Sequence, residues 1–374
     1  MLTGGKLRIT PSRHRTPKLL LAATLSATML VACSSLPGAV ISGPGVSLGS
    51  AKFIDDPKAY EGPSTAQLSQ PILNPVANNP DTKLPVTVQD AQDTTVTISD
   101  VSRILPIDLY GTSSRIVFDL GLGENVIGRD ASSDFDEIKD LPLVTQNGHE
   151  LNAEAILQLA PTVIITDSSL GPWDVVLQMR EAGIPVLVLD SHRSLENTED
   201  MIMQISSALG VPDEGERLAK RTQKEVDEMV AKISAIAPRG DERLRMLFLY
   251  ARGQSGVYYL FGKESGADSL IQSLGGIDVA SEIGWKGMSP MTDEAMVEAE
   301  PDLVIMMTKG LESTGGAEAI STSVPALAHT PAGAKKRIVD MADSQVLSFG
   351  PNSAGILEAL SVAIYAPETA VATK

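Results

Sequence analysis

One cysteine in 374 residues rules out an intramolecular disulfide, and with it any Cys-rich zinc or iron–sulfur site. Four histidines are few for a bare-cation cage. Aromatic residues make up 4% of the chain, so each Tyr or Trp in a loop carries unusual weight. Cations are the minority: 30 Lys plus Arg stand against 47 Asp plus Glu, a formal net charge of −17. Phosphate backbones are bound by an excess of Lys and Arg, so this balance excludes a nucleic-acid partner. Enzyme signatures are missing as well. There is no P-loop and no H-E-x-x-H, and Gly253-Gln254-Ser255-Gly256 lacks the spacing of a nucleophile elbow. The run GLGENVIG (121–128) follows a helical segment and precedes an extended one, the reverse of a dinucleotide-binding turn. What is present is a 43% hydrophobic composition over a length that suits two domains.

The first 32 residues read as an export signal. Lys6, Arg8, Arg13, Arg15 and Lys18 precede an apolar run from Leu19 to Ala32, and no acidic residue interrupts them. That run is shorter than the ~20 residues a spanning helix needs. It ends in Leu30-Val31-Ala32-Cys33, which looks like a bacterial lipobox with the sole cysteine as the lipidated residue. Removal of residues 1–32 takes five cations away and moves the formal charge from −17 to −22. A diacylglycerol thioether on Cys33, with N-acylation such as palmitoylation, would hold the chain on the outer face of the membrane. Residues 33–96 are rich in Ser, Gly, Pro, Asn and Asp without a sustained period, and read as a flexible tether.

From residue 97 strands and helices alternate. Extended segments at 101–107, 125–130, 162–167 and 184–190 are interleaved with helices near 113–120, 152–160, 173–182 and 195–209. A second series starts at 243–251, with strands near 257–261, 302–308 and 337–340 and helices near 267–274, 292–300 and 353–365. Between them Leu218, Thr222, Val226, Met229, Ile233 and Ile236 recur at steps of three and four, the stripe of one long amphipathic helix closed by Pro238 and Gly240. The expected fold is α/β: two Rossmann-like lobes, 97–212 and 239–374, joined by a single helix at 213–238. An internal echo agrees. With a shift of 140, LNAEAILQLAPTVIITD (151–167) lies on MTDEAMVEAEPDLVIMM (291–307), matching Glu154 to Glu294 and Pro161 to Pro301.

These features resemble the substrate-binding lipoproteins of ABC importers for haem, ferric siderophores and cobalamin. The most specific pieces are GLGENVIG (121–128), the two E-A…P segments and SLIQSLGGIDVA (269–280). The resemblance covers about 97–368. It implies a class III binding fold, a ligand held between the lobes, and an ABC permease dimer with its ATPase as partners. Within the group the chain is most similar to the haem-binding lipoproteins of actinobacterial haem importers, at TQNGHEL with His149 and at LFLYARG with Tyr250 and Arg252. His149 lies in a short loop just ahead of Asn152, a suitable N-cap. Tyr250 lies at the carboxyl end of its strand, the edge where α/β sheets bind ligands. The resemblance thus implies Fe(III) protoporphyrin IX as cargo, His149 and Tyr250 as axial ligands, and Arg252 beside the phenolate. A phenol ordinarily keeps its proton to pH ~10, so Fe(III) and a neighbouring guanidinium must stabilise the anion. Residues i and i+2 of a strand share a side, as the Tyr-Ala-Arg spacing requires.

Glu154 and Glu294 are the expected permease-docking pair, because binding proteins of this kind present one Glu per lobe to Arg residues of the permease. Haem-donor surface proteins are further candidate partners. His192, His329, Tyr258, Tyr259 and Trp285 are secondary candidates for the cleft, with core packing the plainer role for the aromatics. A ferric-siderophore or cobalamin carrier shares the fold and the Glu pair. A carrier of bare Zn²⁺ or Mn²⁺ would have to work with three histidines after Cys33.

Overall fold

The computed structural model describes residues 45–69 and 73–370. The expected export signal and Cys33 lie outside the described residues.

In the N-terminal lobe the strands Ile104–Pro106, Val163–Thr166 and Val186–Val188 form a parallel sheet in that order. Nearly every residue of these strands is apolar, and all are buried on both faces. Runs of this kind need cover on both sides. Thr112–Asp119, Ala153–Gln158, Trp173–Glu181 and Thr198–Ala208 are the lobe's helices. The C-terminal lobe holds a mixed sheet in the order Ser64–Ala66, Ile338–Met341, Leu303–Met307, Arg245–Arg252, Val257–Phe261, Met288–Pro290. Its first four strands are parallel, and Val257–Phe261 returns antiparallel beside Arg245–Arg252. Ile277–Asp278 pairs with the start of Arg245–Arg252.

One helix, Pro212–Ile236, joins the lobes. Pro212 at its first turn needs no N–H donor there. Its 25 residues reach ~37 Å at 1.5 Å per residue. Leu218 and Ala219 are buried in the N-terminal core, whereas Val226, Met229 and Ile233 are buried in the C-terminal core. The amphipathic stripe therefore spans two hydrophobic cores and serves as a strut.

The expected tether is corrected over its described part. Ser64–Ala66 is a strand of the C-terminal sheet, in register with Val339, Asp340 and Met341. Leu48 and Ala66 are buried in that lobe's core. The buried Arg337 draws the segment in. Its guanidinium donates to Ser64 Oγ at 2.9 Å and to the carbonyls of Ala363 and Ile364 at 3.0 and 2.8 Å, and lies over the Tyr60 ring. The hairpin Val86–Gln89/Thr95–Ile98 belongs to the N-terminal lobe, where Val96 and Ile98 are buried and Arg180 pairs with Asp90 at 2.7 Å. The three residues of Ser64–Ala66 are too few to show a period, whereas Val86–Gln89 and Thr95–Ile98 do alternate apolar with polar residues. Here they are held by edge hydrogen bonds and single ion pairs. A second correction concerns 125–130, expected as a strand. Its backbone changes partners, Ile127 N–H to Ile104 O and Arg129 N–H to Pro142 O, and forms no ladder, only the isolated bridges Ile104–Val126 and Arg129–Leu143.

The internal echo is realised in three dimensions. Asn152 and Thr292 cap the helices Ala153–Gln158 and Asp293–Ala299, accepting from Ala155 N–H at 3.0 Å and Ala295 N–H at 3.2 Å. Both helices end on a left-handed residue, Ala160 at φ 43° and Glu300 at φ 41°. The final carbonyls are held by an arginine from the lobe's own sheet. Arg103 Nε donates to Leu159 O and Ala160 O at 3.2 and 3.0 Å, and Arg245 donates to Ala299 O and Glu300 O at 2.9 and 3.3 Å.

Candidate functional site

His149 is carried by a hairpin. Thr145–Gln146 pairs antiparallel with Glu150–Leu151, and Asn147 and Gly148 turn the chain with φ of 51° and 88°. Two successive left-handed residues are what Asn-Gly supplies at low cost. The hairpin is pinned to the lobe, since Gly171 N–H donates to His149 O at 3.2 Å and Leu151 N–H to Gly171 O at 2.5 Å.

Tyr250 lies just past the last parallel pair of its strand, Leu249 with Met306, and so at the carboxyl edge. Arg252 follows on the same side. Its Nε donates to Tyr250 Oη, and its Nη2 lies 3.2 Å from His149 Nε2. A guanidinium can only donate, so Nε2 accepts and carries no proton. Burial, and then the Arg252 charge, hold the His149 imidazole below its ordinary pKa, which favours the neutral form that accepts from Arg252. One guanidinium therefore gathers an imidazole from one lobe and a phenol from the other.

The strand faces sort the secondary candidates. Tyr259 is directly opposite Tyr250, their ring centroids 6.3 Å apart, and both are half-buried against the core that also takes Tyr110 and Met307. Tyr258 and Trp285 pack into the core on the other face of the sheet. His192 is exposed, its Nδ1 2.7 Å from Asp190. His329 is exposed at the end of the turn Pro325–His329. Among the described residues no group of three or more His, Cys, Asp or Glu is placed to hold a metal ion.

Sequence reasoning missed a buried acidic cluster at the carboxyl ends of the N-terminal strands. Asp108, Asp130 and Asp167 have no exposed surface, and among the described residues the cation paired with them is Arg193, bonded to Asp167 and 4.0 Å from Asp108. Asp108 accepts N–H groups from Tyr110, Thr112 and Ser113, fixing the start of Thr112–Asp119. Burial, followed by the charge of Asp108, pushes Asp130 up to about 7 and Asp167 up to about 6. The cluster backs a contact between the lobes. Leu195 N–H donates to Ser269 Oγ at 3.2 Å, and a Cβ on Gly266 would stand 2.4 Å from Arg193 O. A carboxylate whose pKa rises on folding adds stability below its unfolded value near 4, and that stability is lost as pH climbs through its folded value. Between pH 5 and 8 the wild type should therefore lose thermal stability relative to Asp130→Asn, as calorimetry of the two proteins would show.

Two lobes on one helix, with candidate ligating groups meeting at the sheet edges, are the architecture of a two-lobed binding protein. The chain belongs to the periplasmic binding protein family, which matches residues 107–344, and it has the class III fold. An uncharacterized ABC transporter substrate-binding lipoprotein of Bacillus subtilis is 26% identical over 76% of this chain and 87% of its own. A vitamin B12-binding protein of Vibrio campbellii is 23% identical over 59% of this chain and 77% of its own. The crystal structure of the haem-binding protein HmuT superposes with a TM-score of 0.79 at 41% identity, covering 83% of this chain and 99% of that one. HmuT has also been solved with a histidine, a tyrosine, and an arginine two residues after the tyrosine each replaced by alanine. The protein is thus an ABC transporter substrate-binding protein of the haem, siderophore and vitamin B12 group, a family of transport components. Among the described residues no helix is long and apolar enough to cross a membrane.

Proposed function

We propose that this protein is a lipid-anchored carrier on the outer face of the cell membrane. It binds ferric haem between its lobes and passes it to an ABC permease for iron acquisition. His149 and Tyr250 are the axial ligands, one on each face of the porphyrin, and Arg252 stabilises the phenolate. Cys33, exposed by removal of residues 1–32, carries the lipid, and Glu154 and Glu294 meet the permease.

The observation that carries this reading is the bridge from Arg252 to both His149 Nε2 and Tyr250 Oη. An imidazole nitrogen and a phenolate oxygen suit Fe(III), and each comes from a different lobe, so iron can be gripped only in the closed cleft. Haem entry requires the guanidinium to leave the line between the two donors while keeping its bond to the phenolate. Tyr110, Tyr259 and Met307 supply apolar surface beside it. The same Tyr-x-Arg spacing in the HmuT variants supports the assignment.

A competition experiment tests the cargo. Titration with hemin, cobalamin and a ferric hydroxamate siderophore should give tight binding and a Soret change with hemin alone. Tight cobalamin binding without a hemin response would replace haem by the cargo named for the vitamin B12-binding relatives.

A further inference from the structure

Glu154 and Leu157 are three apart on one helix and share a face; so do Glu294 and Val297. Leu157 is 40% exposed and Val297 43%, and they are two of only six large hydrophobic side chains exposed among the described residues. A single exposed Leu or Val needs no explanation. These two differ in being each other's counterpart under the 140-residue repeat. Both helices are fixed at both ends, by Asn152 or Thr292 at the start and by Arg103 or Arg245 at the final carbonyls. Both begin near the cleft rim. One follows the His149 hairpin, and the other follows Met288–Pro290, which pairs with the Tyr259 strand.

We propose that Leu157 and Val297 are a matched pair of apolar contacts, one per lobe, through which this protein seats on the two halves of a membrane permease, each beside its carboxylate. The proposal rests on the docking role given to Glu154 and Glu294 above. Two equivalent carboxylate and apolar pairs on one chain fit a partner with two equivalent faces, each offering a cation next to an apolar surface. The carboxylates set charge complementarity and register. Desolvation of the two apolar side chains supplies the slow dissociation that charges at a rim do not.

The test uses the full chain loaded with hemin and the haem permease–ATPase complex of the same organism in nanodiscs. Leu157→Ser and Val297→Ser should each weaken the complex ~3–10-fold, and the double variant ~10–100-fold, in surface plasmon resonance. Hemin affinity by Soret titration and the circular dichroism spectrum should stay unchanged. Glu154→Lys with Glu294→Lys is the control for the underlying reading and should also abolish the complex. If the Glu double variant loses binding while the Ser double variant binds like wild type, the apolar pair is idle and this inference fails alone. If the Glu double variant binds like wild type, the docking role itself falls, and the inference with it.

Discussion

Tyr250→Ala should lower hemin affinity by at least ~100-fold and shift the Soret maximum, and His149→Ala should weaken binding by ~10-fold or more. Loss of groups that merely orient a metal ligand typically costs 10–100-fold, so loss of a ligand sets that range as a floor. The tyrosine is the costlier loss because it brings the negative charge. Without it the Arg252 guanidinium, left beside ferric iron, becomes a like charge. Tyr250→Phe separates ligation from packing: it keeps the ring beside Tyr259 and removes only Oη. Its hemin affinity should match that of Tyr250→Ala within a few-fold. A Tyr250→Phe protein that binds hemin as well as wild type, with an unmoved Soret band, would leave the phenol no part in coordination.

Arg193→Met should destabilise the fold by ~3–5 kcal/mol, the usual cost of stranding a buried charge. Among the described residues Arg193 is the cation set among Asp108, Asp130 and Asp167, and its side chain is almost fully buried. Urea unfolding measures the loss, and a double-mutant cycle assigns it. Adding Asp167→Asn to Arg193→Met should return part of the stability, because it removes one of the stranded carboxylates. Additive losses would show that Arg193 acts through its other contacts, such as its position over the Tyr110 ring.

The parts legible in the sequence were those with a long period or a long apolar run. The helix Pro212–Ile236 is legible because Leu218, Thr222, Val226, Met229, Ile233 and Ile236 recur at steps of three and four along it, and all but Ile236 are buried. The strands Val163–Thr166 and Leu303–Met307 were visible because both faces are buried. Ser64–Ala66 escapes local reading because a three-residue edge strand depends on partners hundreds of residues away, such as Asp340 and Arg337, whereas the hairpin Val86–Gln89/Thr95–Ile98 is local and carries an apolar–polar alternation that marks it. Tyr250 and Arg252 were within reach of local argument, since one strand fixes their shared side. The meeting of His149 with Arg252, 103 residues apart, depends on how the lobes pack. One local signal was overlooked: Asn147-Gly148 marks a hairpin turn and would have placed His149 on it. The acidic cluster carried no such mark. Three aspartates spread over 60 residues become neighbours only through the fold: Asp108 and Asp167 follow neighbouring strands of one sheet, and Asp130 comes from a loop that reaches back to accept Asp108 N–H.

Resonance Raman spectroscopy of the hemin-loaded protein addresses the iron directly. With excitation in the phenolate-to-iron charge-transfer band, six-coordinate ferric haem with an iron–phenolate vibration is predicted, and that vibration should vanish in Tyr250→Phe. A wild-type spectrum without it, or one that persists unchanged in Tyr250→Phe, would contradict a haem held between the two lobes by an imidazole and a phenolate.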